Sequence, residues 1–346
     1  MTTPMKATIK DIAARAGVSK TAVSFALNNP KRISKETCDR ILAIVEEMRY
    51  FPNPVARTLT TKRLGALGLL LPQPISEAME NPHLCDVISG IGEECDRHEI
   101  SLTMLPPVQG KIIEAARRSF VDAIITIGVG PEHEVIEFLQ RRRVPFVTID
   151  SEETAETINI GIQHEPAAYD LMRHILSSKP ERIALLCLKP DAMNHTERSR
   201  SVVLENRLAG FARALQEDGL ALGTDRVRVL ETEGSIEGGL SAGRILLVAA
   251  DRPDAIVAMS DIVALGVYSA ADELGIGIPE QLSIAGFDDI ALSRFVRPLL
   301  TTVHQPAKEK GRKAASLALD LLNGGKPVHF NFPYTLLIRG STKPAR

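Results

Sequence analysis

The stretch TIKDIAARAGVSKTAVSFALNNP, residues 8–30, opens the chain and decides how the rest is read. Thr8 and Asp11 make a Thr-x-x-Asp capping box, so a helix starts near Ile9. Ile12 and Ala16 lie four apart on one face with Ala13 beside them. Gly17 supplies the helix stop. Ser19 is a good N-cap for a second helix running to about Leu27, with Val23 and Leu27 turned inward. Asn28, Asn29 and Pro30 end it. Ser34 caps a third helix with Glu36 in its first turn. Ile41, Leu42, Ile44, Val45 and Met48 give that helix a broad apolar face. Three short helices in about fifty residues make a minimal bundle.

Two helices joined by a tight Gly-containing turn form a helix-turn-helix, in which the start of the second helix enters the DNA major groove. Lys20 and Thr21 stand at that start. Lys donates to guanine O6 and N7; Thr hydrogen-bonds a base edge or touches a thymine methyl. Phe25, one turn on, suits a methyl contact if it is exposed, and Ser24 and Asn28 suit phosphates. The competing reading is a plain three-helix scaffold with Phe25 in its core. Charge favours DNA. Residues 1–63 carry 12 Lys and Arg against 5 Asp and Glu, whereas the remaining residues carry 29 against 38. A basic head on an acidic body meets a polyanion through the head alone.

Then comes YFPNPVARTLTTKR, residues 50–63. Asn53 is a suitable N-cap and Pro54 a suitable first helical residue. A helix of about six to eight residues follows from this, too short to persist alone. Leu59 falls six residues after the cap, with Arg57 near it. An apolar residue on such a helix either wedges between base steps in the minor groove or packs against the body.

From Leu64 short apolar runs alternate with amphipathic stretches. LGALGLLLP, SLTMLP, VDAIITIGV, PFVTID, RIALLCL, DAIVAMS and LSIAGFDD read as strands. Helices are expected at roughly 84–97, 132–142, 166–178, 206–218, 235–250, 261–274 and 307–323. Near-continuous apolar strands alternating with helices predict parallel sheets covered on both faces. About 280 residues suit two lobes better than one core.

The mean hydropathy is near zero and 44% of residues are hydrophobic, which excludes wholesale disorder. Cys38, Cys85, Cys95 and Cys187 show no CxxC or metal-like spacing and read as reduced thiols of a cytoplasmic protein. No signal-like or membrane-spanning run is present. There is no GxSxG, HExxH or P-loop, and His83, His133, His164, His195 and His304 read as structural. No metal or cofactor is expected. The body instead places polar groups at strand ends: Asp150, Ser260 and Asp261, then Asp288 and Asp289. Ligands in open α/β sheets bind at the carboxyl ends of strands. There, carboxylates accept pairs of hydroxyl hydrogens, and Arg207 supplies fork-like donors.

TIKDIAARAGVSKTAVSFALN followed by ISKETCDRILAIVEEMRYFPNPVARTL resembles the head of the lactose-repressor/galactose-repressor family. DAIVAMSDIVALGVYSAADELGIGIPEQLSIAGFDDIALSRFVRPLLTTVHQP resembles its effector region, a pattern shared more loosely with periplasmic sugar-binding proteins. The resemblance covers essentially the whole chain. It implies a helix-turn-helix head over residues 1–50 and a hinge helix and linker over 51–63. Residues 64–346 become a two-lobed, periplasmic-binding-protein-like effector and dimerisation domain. Its N-lobe spans about 64–162 plus 305–325, and its C-lobe about 163–304 plus 326–340. A homodimer reading a near-palindromic double-stranded operator is implied. By match to the family pattern, Lys20, Thr21 and Phe25 fall on base-reading positions and Leu59 on the intercalating hinge leucine. Thr8, Ser19, Ser24, Asn28, Asn53 and Arg57 complete the expected DNA contacts. Asp150, Arg207, Ser260 and Asp288 fall on effector positions, and Asp261 on a helix-capping one. The chain has no Trp and 4% aromatics, which leaves Phe287 as one of few rings available to stack a sugar.

The expected protein is therefore an effector-controlled transcriptional repressor of the cytoplasm and nucleoid, not an enzyme, answering to a sugar or sugar derivative. A nucleobase or a phosphorylated metabolite, with Arg207 as anion partner, is the alternative effector. A transport-related solute-binding protein is the alternative class. Effector binding would close the cleft and reset the spacing of the two hinge helices, coupling the sites by about 1–3 kcal/mol.

Overall fold

The computed structural model describes residues 7–50, 63–189, 201–326 and 328–346. The chain divides into two units, Met1–Leu64 and Gly65–Arg346.

In the first unit, α1 (Ile9–Ala16), α2 (Lys20–Asn28) and α3 (Lys35–Glu47) follow the capping residues closely. The Asp11 carboxylate accepts the Thr8 backbone N–H at 2.9 Å and the Thr8 hydroxyl at 2.7 Å. These bonds hold its carboxyl below the ordinary range. Gly17 takes φ +64°, a left-handed conformation open to a residue without Cβ. Val18 N–H then returns to the Ala13 carbonyl at 3.0 Å and closes the turn. Ser19 accepts the Ala22 N–H at 3.1 Å. Ile12, Ala13, Ala16, Val23, Ala26, Cys38 and Ile41 form the core. Leu42, expected on the apolar face of α3, is instead 42% exposed. It lies one residue, about 100° of helix, beyond Ile41, off the stripe Cys38–Ile41–Val45–Met48.

The second unit holds two six-stranded sheets. The first is built from β1 (Ala66–Leu70), β2 (Ser101–Leu105), β3 (Ala123–Ile127), β4 (Phe146–Ile149), β5 (Asn159–Gly161) and β11 (Phe330–Asn331), in the order β2-β1-β3-β4-β5-β11. The second contains β6 (Ile183–Leu188), β7 (Val227–Thr232), β8 (Ala255–Ala258), β9 (Ser283–Asp288), β10 (Thr301–His304) and β12 (Thr335–Leu337), in the order β7-β6-β8-β9-β10-β12. Every pairing is parallel except β10 with β12. Central strands bury both faces: Leu185 and Val257 point into one core, Leu186 and Ile256 into the other. This alternation explains why they read as continuous apolar runs.

The helices of this unit are α4 (Ile75–Glu80), α5 (Pro82–Arg97), α6 (Ile112–Arg118), α7 (Glu134–Arg142), α8 (His164–Ser177), α9 (Val202–Glu217), α10 (Ile236–Leu247), α11 (Asp261–Glu273) and α12 (Ala307–Leu322). The chain passes from the first sheet to the second between β5 and α8. It returns after β10 into α12, which packs on the first sheet's core, and divides its tail between β11 and β12. Residues 326–340 were expected wholly in the C-lobe; the structure corrects this, since Phe330 and Asn331 pair with β5. Gly90 of α5 and Gly311 of α12 each sit where a Cβ would strike the other helix's backbone, at Lys308 and Val87. This close approach fixes α12 against α5 over the first sheet's core.

Candidate functional site

Two surfaces concern function. On the head, Lys20 and Thr21 are exposed at the start of α2, directly after the Ser19 cap. Phe25 is partly buried but outside the three-helix core, and the Arg32 guanidinium lies 5.5 Å from its ring centroid. The scaffold reading with Phe25 as core residue therefore fails. Thr8 is exposed and Ser24 partly buried. Of Asn28 only the backbone is described, and Asn53, Arg57 and Leu59 lie outside the described residues.

On the body, a cleft of about 920 Å³ opens at the carboxyl ends of the central strands. Asp150, Arg207, Ser260 and Asp288 all line it. Asp150 follows β4 at φ +52° and Asp288 ends β9 at φ +120°. Backbone held in such regions costs about 1–3 kcal/mol and persists where surrounding contacts impose it.

A continuous buried network supplies those contacts. Asp288 Oδ1 accepts Arg207 Nη2 at 3.1 Å and Gln305 Nε2 at 2.6 Å. Gln305 Oε1 accepts Lys310 Nζ at 2.7 Å, and Lys310 also donates to Asp150 Oδ2. His164 Nε2 meets Asp150 Oδ1 at 3.1 Å, while Arg207 Nε donates to His164 Nδ1 at 3.4 Å. A ring that accepts at Nδ1 and donates at Nε2 is the neutral tautomer. Burial agrees, because it pushes His164 below its ordinary value despite Asp150. Burial would raise the Asp150 carboxyl, but Lys310 and His164 outweigh it and hold it well below the carboxylate range. Lys310 is wholly buried, and that burial lowers its ammonium's value. The network joins residues of both lobes at the crossovers: Asp150 and α12's Lys310 on one side, Arg207 and Asp288 on the other.

Several expectations are corrected here. Phe287 is fully buried, with the Arg207 guanidinium 3.7 Å over its ring, so it offers no face to a ligand. Adjacent strand residues point to opposite faces; Asp288 faces the cleft, so Phe287 faces the core. Asp261 does not cap α11. Its carboxylate takes Thr302 Oγ1 at 2.6 Å and Ile290 N–H at 3.0 Å. Burial, reinforced by Asp288, pushes it up to about 8. Asp289 turns away to Arg294 and Arg339, each at 2.6 Å. The Arg207 fork is occupied by Asp288, the Met259 carbonyl and His164.

His83, His164, Gln305 and Lys310 were missed as site residues. His83 lines the cleft and is pushed down to about 4, first by burial. Lys310 carried a legible signal: it falls on the buried stripe Ala307–Gly311–Ala314–Ala318 of α12, where an unpartnered ammonium is not tolerated.

The pattern "Bacterial regulatory proteins, lacI family" matches residues 8–53, and "Periplasmic binding protein-like domain" matches residues 172–342. The chain is 32% identical to the HTH-type transcriptional regulator DegA of Bacillus subtilis, over 98% of this chain and 99% of that protein. It is 29% identical to the HTH-type transcriptional repressor PurR of Photobacterium profundum, over 97% and 99% respectively. Its fold matches the lac repressor dimer bound to operator and the anti-inducer ONPF, with a TM-score of 0.80 at 23% identity, covering 97% of this chain and 99% of that one. A helix-turn-helix head joined to a two-lobed parallel α/β body with a ligand cleft is the architecture of a ligand-governed transcriptional repressor, not of an enzyme. The chain belongs to the lacI family of bacterial regulatory proteins.

Proposed function

We propose that this repressor reads a near-palindromic operator as a homodimer, acting in the cytoplasm at the nucleoid, and that a sugar or sugar derivative in its cleft sets operator affinity. Lys20 and Thr21 read base edges, and Phe25 contacts a thymine methyl. Thr8, Ser19, Ser24 and Asn28 hold phosphates, and Asn53, Arg57 and Leu59 complete the DNA contact. Asp150 and Asp288 accept effector hydroxyls beside the Ser260 hydroxyl. The observation that carries this reading is the pairing of exposed Lys20 and Thr21, at a capped helix start, with carboxylates at the strand ends of a separate cleft.

The test uses duplexes selected from a random pool by the full-length protein. Lys20→Ala should cost about 1–3 kcal/mol on the selected duplex and relax preference at one base position. The log of affinity should fall steeply against log salt. Equal losses on all sequences would reassign Lys20 to phosphate, and selection of no motif would end the operator reading.

A further inference from the structure

We infer that the effector is a polyhydroxylated molecule carrying a protonated amine, an amino sugar in chemical class, rather than a neutral sugar or a phosphate ester. This rests on the sugar-derivative reading above and narrows it.

The cleft floor is charge-balanced. Arg207 is matched by Asp288 and Lys310 by Asp150. His83 and His133, the two imidazoles on the described cleft wall, are both pushed towards their neutral forms, first by burial. The rim is not balanced. Glu77, Glu80, Glu132, Glu152 and Glu205 all line the cleft, and among the described residues none of the five has an ion-pair partner. Lys189, the one rim cation among the described lining residues, is taken by Glu233 at 2.9 Å.

A ring of carboxylates alone makes no site. The second observation is Ser260, which lines the cavity at 5% exposure. Its hydroxyl does not cap α11 and has no partner among the described residues. Its donor and acceptor capacity is therefore open to a molecule in the cleft. With Asp150 and Asp288 it presents donors and acceptors suited to vicinal hydroxyls. Hydroxyl recognition at the floor and rim carboxylates with no ion-pair partner among the described residues together favour a cationic polyol. Five exposed carboxylates acting across a separation of about one Debye length would improve the affinity of an added positive charge by about fivefold at physiological salt. A phosphate is disfavoured by a larger factor.

The experiment uses full-length protein in an amine-free buffer and matched trios: D-glucosamine, D-glucose and D-glucose 6-phosphate, and the D-galactose equivalents. Thermal shift at about 10 mM ligand is followed by calorimetry. At least one amine should raise Tm and bind about fivefold more tightly than its neutral partner, with Kd rising with salt. In Glu132→Gln/Glu205→Gln the preference should fall to about threefold. N-acetylation of the amine should abolish it. A neutral sugar or phosphate binding as tightly as its amine overturns the inference, as does the absence of any response to an amine. If a neutral sugar binds and changes operator affinity, the sugar-controlled repressor stands and only the charge assignment falls.

Discussion

Replacing Lys310 by Met tests whether the buried network holds the two lobes in register. The substitution keeps the length and apolar body of the side chain but removes the ammonium. Asp150, 6% exposed, then keeps only His164 as partner, and Gln305 Oε1 loses its donor. Breaking one side of a buried ion pair costs about 3–5 kcal/mol, a large share of a total stability of about 5–15 kcal/mol. For a domain of this size that lowers Tm by roughly 10 °C. Asp150→Asn alone strands the Lys310 charge and should cost a similar amount. The double variant removes both charges, so its loss should be smaller than the sum by about 1–3 kcal/mol. Urea unfolding of the four proteins measures this. A loss under about 1 kcal/mol for Lys310→Met, or strict additivity, would refute the claim that the pair is desolvated and coupled.

Two further outcomes follow from single residues. Asp261 has a folded-state value near 8 against 3.8 unfolded, so its stabilisation is full below the unfolded value and lost as pH rises through about 8. Asp261→Asn should flatten that decline, which reaches at most about 1.4 kcal/mol per pH unit; parallel stability curves for the two proteins would contradict it. Ser19→Ala removes the α2 cap and should cost the head about 1 kcal/mol, read as a weaker operator complex with an unchanged thermal transition of the body. An unaltered complex would show that the bond to Ala22 N–H is dispensable.

The head was almost fully legible, because caps and turn glycines act locally: Thr8, Gly17, Ser19 and Ser34 each mark an element boundary in the sequence itself. Strands buried on both faces were legible for the same reason, as uninterrupted apolar runs. β7 was not, since its exposure alternates along VRVLET and an edge strand needs no second apolar face. β5, β11 and β12, of two or three residues, are too short to carry a period. Asp150, Ser260 and Asp288 line the cleft because strand ends meet there whatever the ligand, and Arg207 reaches it from α9. Their partners were hidden. Lys310 and Asp150 are 160 residues apart, and only the crossover after β10 brings α12 beneath the first sheet. Phe287 misled because its ring type suggested stacking, whereas its strand parity assigned it to the core.

The most direct test is reciprocity of coupling in the full-length protein. A ligand that raises Tm is titrated by calorimetry with and without saturating selected operator, and operator affinity is measured with and without that ligand. The two affinity ratios should be equal and about 5–150-fold from unity. Ligand affinity unchanged by operator would contradict the claim that the cleft governs the head.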